Sequence, residues 1–316
     1  MSFSLKVKNE ISRYTNISRE EAAAELSAIM KVSGTLLLGG IGKFGFKIIT
    51  ENASTTRFLF KILKNKFNIH TKILVKKSNS LKKNNVYEVI ITENESVRSL
   101  LKEVGILKEE EDAFSLDYSI PKNIVATDLL KRAYIRGAFL GGGSISNPEK
   151  TYHLEFVTHN DVYAEDLSSL INEYGLNSKV IQRKNSFIVY IKEGEQIVDL
   201  LNIIGAYSAL LKLENIRIMK EMRNNVNRLV NCETANLSKT VNASVRQAES
   251  IKLIQRKIGL SRLPKNLREI AELRLNYPDE SLKELGEMLN PKVGKSGVNH
   301  RLRRIEKIAG ELRKEK

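Results

Sequence analysis

EAAAELSAIMKVSGTL (residues 21–36) and LLKRAYIRGAFLGGGSI (residues 129–145) align with each other without a gap. Their small residues superimpose at one constant offset: Ala24 on Ala133, Ala28 on Gly137 and Gly34 on Gly143. Small residues four positions apart lie on one face of a helix and allow two backbones to approach closely. The two stretches are therefore predicted to be helices that pack against each other.

The same order of elements is predicted after each of these helices. After Gly34 the patterns predict a hairpin in TLLLGGIGKFGFKIITEN, a helix in TRFLFKILKNKF, a hairpin in TKILVKKSNSLKKNNVYEVIIT and a helix in VRSLLKEVGIL. After Gly143 the strand YHLEFVTH, the helix DVYAEDLSSLINEYG, the strands SKVIQRK and SFIVYIK and the helix QIVDLLNIIG repeat that order. We expect an α+β fold of tandem αββαββα repeats, at about residues 20–110 and 127–206, connected by FSLDYSIPKNIVAT.

Composition and charge restrict the class of protein. The 316 residues, 41% hydrophobic and 28% charged, are typical of a folded chain of two or three domains. The net charge of +15 favours a polyanionic partner, with nucleic acid ahead of an acidic membrane surface. A single cysteine, Cys232, excludes an intrachain disulfide and a cysteine-based zinc site. The chain has no apolar run long enough to span a membrane, and MSFSLKVKNEISR does not resemble a signal peptide, so we expect a cytoplasmic protein.

The last third changes to helical patterns without strands. YSALLKLENIRIMKEMRNNVNRLVN predicts an amphipathic helix, and SVRQAESIKLIQRKIG predicts another. The polar stretch between them, NCETANLSKTVNAS, is poorly periodic and is interpreted as a linker or an interdomain contact. We expect a first domain at residues 1–218, a helical linker at 219–258 and an all-α domain at 259–316.

The end of the chain predicts a helix-turn-helix. LPKNLREIAELRLNYPD is a helix that ends at Pro278, and Ser281 with Glu284 fits a capping box for the next helix. Leu282, Leu285 and Leu289 form the apolar side of that helix, which Pro291 ends. After the turn KVGK, Ser296 is predicted to cap a helix whose apolar face is formed by Val298, Leu302, Ile305 and Ala309. Two short helices joined by a tight turn, the second basic on its outer face, are typical of a DNA-binding helix-turn-helix.

Candidate DNA contacts lie mostly on this second helix. Asn299, His300 and Arg303 are predicted to contact base edges, because Asn and Arg can form bidentate hydrogen bonds there. Lys295, Arg301, Arg304 and Lys307 are predicted to contact phosphates. Ser281, Lys283 and Ser296 complete the predicted set. The alternative is a solvated basic helix at the end of a bundle.

The paired helices and the strand order after each of them resemble the LAGLIDADG homing-endonuclease fold, over about residues 20 to 215. The resemblance implies two curved sheets that form a saddle on DNA, with two signature helices at a pseudo-twofold interface. In that family an acidic residue immediately before the last glycine of each helix holds the catalytic divalent metal. Here those positions are Ser33 and Gly142, neither of which offers a carboxylate. The resemblance therefore implies a platform with no catalytic residue, no metal and no cofactor.

Other acidic and histidine residues in the repeats are weaker candidates. Glu25 and Glu155 lie outside the motif positions and are expected on the surface or in a hairpin. His153, Glu155 and His159 fall on one face of a predicted strand, where a metal site is the alternative to solvated or sheet-packed side chains. The GKS at residues 294–296 lacks the first glycine and preceding strand of a phosphate-binding loop, and the glycines of GGGS follow a helix, unlike a dinucleotide fingerprint.

The whole chain resembles the WhiA family of Gram-positive bacteria. The resemblance rests on SFSLKVKNEISR, ELSAIMKVSG, RAYIRGAFLGGGSIS, NCETANLSKTVNAS and the final helices. It implies a transcription regulator without nuclease activity, tied to sporulation in some lineages and to cell division and chromosome segregation in others. The implied partner is double-stranded DNA in the nucleoid, with possible protein partners through the LAGLIDADG-like domain and no membrane. Two alternatives stay open: an active endonuclease with displaced acidic residues, and a protein-binding scaffold tethered to DNA.

Overall fold

The computed structural model describes residues 1–39, 44–77, 85–110 and 113–314. The chain divides into two compact units, Met1–Lys220 and Glu221–Lys316. Most of the predicted glycine turn of the first hairpin and the polar tip of the second lie outside the described residues.

The first unit contains the predicted tandem repeat. It opens with the helix α1 (Phe3–Ile11). The first repeat consists of α2 (Arg19–Ser33), β1 (Gly34–Leu38), β2 (Phe44–Thr50), α3 (Ala53–Phe67), β3 (Lys72–Lys77), β4 (Asn85–Ile91) and α4 (Asn94–Glu103). The connection holds the short hairpin β5 (Leu107–Glu110) and β6 (Ala113–Leu116). The second repeat consists of α5 (Asp128–Gly142), β7 (Gly143–Ile145), β8 (Leu154–Thr158), α6 (Asp161–Asn172), β9 (Lys179–Arg183), β10 (Ser186–Ile191) and α7 (Gly194–Ile203).

Each repeat forms a four-stranded antiparallel sheet, in the order β1-β2-β4-β3 and β7-β8-β10-β9. Helices cover one face of each sheet, with α3 and α4 on the first and α6 on the second. Side chains alternate accordingly, so that Phe46 and Ile48 on β2, and Leu154 and Phe156 on β8, are buried in the core. The prediction of an α+β fold with two sheets is confirmed.

Helices α2 and α5 pack directly against each other. The small residues that superimpose in the sequence, Ala24, Ala28, Ala133 and Gly137, are buried at this interface. A Cβ added to Gly137 would lie 2.3 Å from the carbonyl oxygen of Glu25, so the two backbones are in contact. The predicted close approach of the two helices is confirmed.

Each of these helices is followed by a glycine, because a side chain at that position would clash with neighbouring atoms. Gly34 and Gly143 have extended backbones, and each begins the strand that follows its helix. A Cβ on Gly34 would lie 2.3 Å from the carbonyl oxygen of Met30, and one on Gly143 would lie 2.3 Å from the ring of Phe139. Larger residues would therefore push the strand away from the end of the helix.

The stretch NCETANLSKTVNAS, interpreted as a linker or an interdomain contact, is helical and does not separate two helices. A single helix of 51 residues, α8 (Tyr207–Lys257), runs through this stretch. Both ends are fixed by packing: Leu213 is buried in the core of the first unit, and Ile251 and Ile254 are buried in that of the second. Helical structure thus continues through Asn, Ser and Thr residues whose own propensity is low.

The second unit adds α9 (Lys265–Asn276), α10 (Leu282–Glu287) and α11 (Lys295–Lys314) to the end of α8. Its core is formed by apolar residues from all four helices, including Ile254, Ile270, Leu285 and Leu302. The capping box of α10 is confirmed, since the amide of Glu284 donates to Ser281 Oγ and the amide of Ser281 donates to Glu284 Oε2 at 2.8 Å.

Candidate nucleic-acid interface

The orientation of α11 follows from its buried side. Val298, Leu302, Ile305 and Ala309 are almost fully buried, as their spacing predicts. The prediction that Ser296 caps the helix is wrong. The helix begins at Lys295, and the amide of Val298 donates to the carbonyl of Gly294 at 3.1 Å, so Ser296 lies inside the first turn.

The face opposite the core is open. The exposed members of the predicted DNA-binding set on α11 are Lys295, Ser296, His300, Arg303, Arg304 and Lys307. Asn299 is half-buried at one edge of this face. Arg301 is half-buried at the other edge, with Nη1 3.5 Å from the carbonyl oxygen of Asn266 on α9. The structure thus brings six predicted residues together on one surface and places two at its edges.

The charge of this face is positive throughout its first three turns. From Lys295 to Ile305 the helix carries four cationic side chains and no carboxylate. The next acidic residue, Glu306, is half-buried and forms an ion pair with Arg246 of α8, with Nε and Oε1 2.8 Å apart. A phosphate that approaches α11 near Arg303 therefore meets only positive charge from this helix.

The turn between α10 and α11 depends on a glycine. The amide of Val293 donates to the carbonyl of Gly286 at 3.0 Å, and a Cβ at position 286 would lie 2.0 Å from the carbonyl oxygen of Val293.

At the start of α10, the hydroxyl of Ser281 is occupied by the capping box. Lys283 is 79% exposed and lies 4.0 Å from a carboxylate oxygen of Glu287.

Sequence reasoning missed the part played by Arg274. This residue of α9 is only 3% exposed, and its Nη1 donates to the carbonyls of Pro278 at 3.2 Å and Glu280 at 2.8 Å. Burial lowers the pKa of its guanidinium. Arg274 follows Ile270 and Ala271 at helical spacing, which indicates the buried face. Its hydrogen bonds fix the segment that leads into α10.

The degenerate metal positions are used for packing. Ser33 Oγ donates to the carbonyl of Ile29 at 2.9 Å within α2. A Cβ at Gly142 would lie 2.5 Å from Val32 Cγ1 and 2.6 Å from the carbonyl oxygen of Val157. A carboxylate at position 142 would therefore require the helix and the strand β8 to move apart.

Glu25 lies in the core, so the expectation of a surface position is wrong. Its Oε1 is 2.5 Å from Nη2 of Arg136 across the interface of α2 and α5, and 2.6 Å from Nε. Its Oε2 has no hydrogen-bond partner among the described residues. Burial raises the pKa of Glu25 to about 7, although Arg136 acts in the opposite direction.

The three candidates at β8, Glu155 on the strand and His153 and His159 next to its ends, separate into two groups. Glu155 is half-buried and accepts hydrogen bonds from Ser144 Oγ at 3.1 Å and His153 Nε2 at 3.2 Å. His159 instead contacts the carbonyl oxygen of Asn185 at 3.3 Å. Within the described ranges, no three His, Cys, Asp or Glu side chains are grouped as metal ligands.

Two αββαββα repeats, with Ser33 and Gly142 where the LAGLIDADG resemblance predicts acidic residues, are followed by a unit of short helices. This order defines a class in which a two-sheet domain is joined to a helical module. Family models match all three parts: the WhiA N-terminal LAGLIDADG-like domain at residues 19–107, the WhiA LAGLIDADG-like domain at 131–223 and the WhiA C-terminal HTH domain at 226–309. The chain belongs to the WhiA family.

Relatives cover almost the whole chain. A protein of Clostridium botulinum (strain Hall), named "Probable cell division protein WhiA", is 74% identical over 313 residues, which is 99% of both chains. A protein of Clostridium novyi with the same name is 73% identical over 315 residues, covering 100% of this chain and 99% of the relative. The crystal structure of full-length DUF199/WhiA from "Thermatoga maritima" is 28% identical, with a TM-score of 0.60, and covers 98% of this chain and 99% of that one.

None of the helices in the described ranges combines the length and the hydrophobicity needed to cross a bilayer.

Proposed function

We propose that this chain is a non-catalytic protein that binds double-stranded DNA and regulates transcription. We propose a role in cell division and chromosome segregation, and in sporulation where the host sporulates. The observation that carries the proposal is the exposed face of α11, where the predicted contact residues lie together beside a capped helix-turn-helix. The names of the relatives support the role in cell division.

The mechanism is recognition by α11 in the major groove of the duplex. His300 and Arg303 lie on the open face and would contact base edges, with Asn299 beside them. Lys295, Arg304 and Lys307 would contact the phosphates on either side, and Arg301 would do so after leaving the carbonyl of Asn266. Affinity would come mainly from the cations, and specificity from the base contacts.

The absence of catalysis is part of the proposal. Metal-assisted cleavage of DNA needs oxygen ligands that can share Mg²⁺ with a phosphate. The hydroxyl of Ser33 donates within its own helix, and the space beyond Gly142 is filled by Val32 and Val157. The two central helices would therefore hold the repeats together without binding metal.

The first unit would act as a platform for other proteins in the nucleoid. The open face of its first sheet carries the exposed apolar residues Ile49 and Leu74. Between them Glu88 forms an ion pair with Lys76 at 2.9 Å. Lys47 and Lys72 share this face, so the exposed apolar pair, and not the charge of the face, is what supports a protein partner.

Selection from a random library of DNA duplexes tests the proposal. Full-length protein should enrich a defined sequence, and the enrichment should fall with Arg303→Ala but persist with Arg313→Ala, which removes an equal charge at the far end of α11. If the wild-type protein enriches no defined sequence from the library, the proposal is contradicted.

A further inference from the structure

Three neighbouring cavities surround α1 in the first unit. Their volumes are about 630, 450 and 380 Å³, and Asn9 lines all three. The 450 Å³ cavity shares Ser54 and Arg57 with the largest one and Arg13 with the smallest. We call this region the α1 cleft. Its volumes lie in the range of small-molecule binding sites.

The middle cavity is lined by cations without an acid. Arg13, Arg57 and Lys61 line it, together with hydroxyl and amide groups, and no carboxylate among the described residues does so. Arg57 and Lys61 lie four positions apart on α3 and so project from one face of that helix. Arg13 follows the end of α1 and faces the same cavity.

These three cations lack the acidic partners that arginines have elsewhere in the first unit. Arg19 is 2.7 Å from Glu103, and Arg132 is 2.8 Å from Asp128. Among the described residues, Arg57 donates a hydrogen bond from Nη2 to Ser54 Oγ at 3.0 Å and forms no ion pair. Neither Arg13 nor Lys61 has an ion pair in the part of the chain that the structure describes. The three cations thus line one cavity with no carboxylate of the described residues paired to them.

The smallest cavity adds two more cations. Lys6 and Lys212 line it with Arg13. The ammonium group of Lys212 lies next to Lys6 and lowers the pKa of Lys6. Glu10 also lines this cavity. Its carboxylate accepts hydrogen bonds from the amides of Ser208 at 2.6 Å and Ala209 at 3.1 Å, and so is held at the start of α8.

The largest of the three cavities has a mixed lining of polar, apolar and charged groups. Asn85, Tyr87 and Ser144 line it, with amide and hydroxyl groups and one half-buried ring. Lys8 and Glu51 also line it, and Lys8 donates to the carbonyl of Leu140 at 3.1 Å. Groups of this kind can hold a sugar and a base beside a phosphate-binding cavity.

We propose that the α1 cleft binds a small molecule with a di- or triphosphate group, of the nucleoside polyphosphate class. The guanidinium groups of Arg13 and Arg57 would donate paired hydrogen bonds to phosphate oxygens, and Lys61 would act as a point charge. Lys6 and Lys212 would be relieved of their mutual repulsion by the same charge. The concave shape favours a small ligand over the backbone of a duplex.

Titration calorimetry on the full-length protein tests this proposal with ATP, inorganic tripolyphosphate and adenosine as probes. ATP and tripolyphosphate should bind and adenosine should not. Arg57→Ala should weaken binding at least tenfold, and Arg13→Ala should have a similar effect. Lys64→Ala removes an equal charge from the exposed side of α3 outside the cleft and should change binding less than twofold. Tighter binding of ATP than of tripolyphosphate would assign the largest cavity to the nucleoside, and equal binding would assign the ligand to inorganic polyphosphate.

The proposal is overturned if neither phosphate probe binds at millimolar concentration, or if Lys64→Ala weakens binding as much as Arg57→Ala. The remaining alternative is that these cations bind the phosphates of DNA. To test it, duplex binding is measured for Arg303→Ala with and without Arg57→Ala. Loss of duplex binding with Arg57→Ala, without any binding of ATP or tripolyphosphate, would assign the cations to DNA and overturn the small-molecule proposal.

Discussion

Arg303 and Lys295 lie on the same helix but should contribute to DNA binding in different ways. Arg303 is exposed on the face opposite the core, where a side chain can reach base edges in the major groove. Lys295 is the first residue of α11, next to the positive end of the helix dipole, where phosphates bind.

Arg303→Ala should weaken binding to the selected sequence by about 1–3 kcal/mol and relax the preference at one base position. Lys295→Ala should weaken binding to all sequences alike and lower the slope of log affinity against log salt by about 1. Fluorescence anisotropy with matched and mismatched duplexes measures both. Equal losses on every sequence for both variants would place Arg303 on a phosphate instead.

Arg274→Met should destabilise the helical unit by about 3 kcal/mol, because two carbonyls lose their buried donor. Arg268→Met, a change on the half-exposed side of the same helix, serves as the control and should cost less than about 1 kcal/mol. Hydrogen exchange of residues 265–314 measures the difference. Equal protection in the two variants would show that Arg274 does not fix the segment before α10.

At the scale of elements, the packed pair α2 and α5 holds the two repeats together. Its stability rests on small side chains rather than large ones, so that changes in size should have large effects. It also contains the buried ion pair of Glu25 and Arg136, which connects one repeat with the other.

Gly137→Ala should destabilise the first unit by about 3 kcal/mol, because the new methyl group would overlap the backbone of Glu25. Gly310→Ala should instead stabilise the second unit. No atom lies within 4 Å of a Cβ there, and alanine favours a helix over glycine by about 1 kcal/mol. Hydrogen exchange on peptides from each unit reports both changes. Full tolerance of Gly137→Ala would show that the backbones can separate without cost.

Glu25 should make the first unit less stable as the pH rises. The pKa of its carboxyl group is about 7 in the folded protein, against 4.5 for the solvated carboxyl group in an unfolded chain, so the folded state holds the proton more tightly. Its contribution is complete below pH 4.5 and is lost as the pH rises through about 7. The loss is on the order of 3 kcal/mol.

Glu25→Gln removes this titration, and its free energy of unfolding should therefore fall less than that of the wild type over this range. Unfolding of the first unit by urea at pH 4.5, 6 and 8 measures the difference. Glu165→Gln, at an exposed position on α6, is the control and should follow the wild type. Parallel pH profiles for wild type and Glu25→Gln would show that the titration of Glu25 does not lower the stability of the first unit.

Local patterns predicted most elements but few long-range contacts. The capping box of α10 and the apolar spacing of α11 involve neighbours within a few residues, so the sequence predicts both. The burial of Glu25 depends on Arg136, which is distant in sequence, and no local pattern marks that pair. The continuity of α8 depends on cores at its two ends, whereas its central residues indicate a break. Ser296 was misplaced because Gly294 can supply the first carbonyl of the helix.

At the scale of the whole molecule, the chain has a net charge of +15 and divides into two compact units, for which we propose different roles. The helical unit presents the basic face of α11. The other unit contains the two LAGLIDADG-like repeats, with a crowded Gly142 and an internally bonded Ser33 where the resemblance predicts acidic residues. The central claim is that the protein binds a duplex and does not cut it.

One measurement tests that claim most directly. The selected duplex, labelled on both strands, is incubated with the full-length protein in Mg²⁺, and the bound and cleaved fractions are measured from the same sample. We predict saturable binding with both strands intact, and binding weakened by about 1–3 kcal/mol with Arg303→Ala. Strand breaks that appear with the wild-type protein and disappear when Glu25 or Glu155 is changed to glutamine would contradict the account.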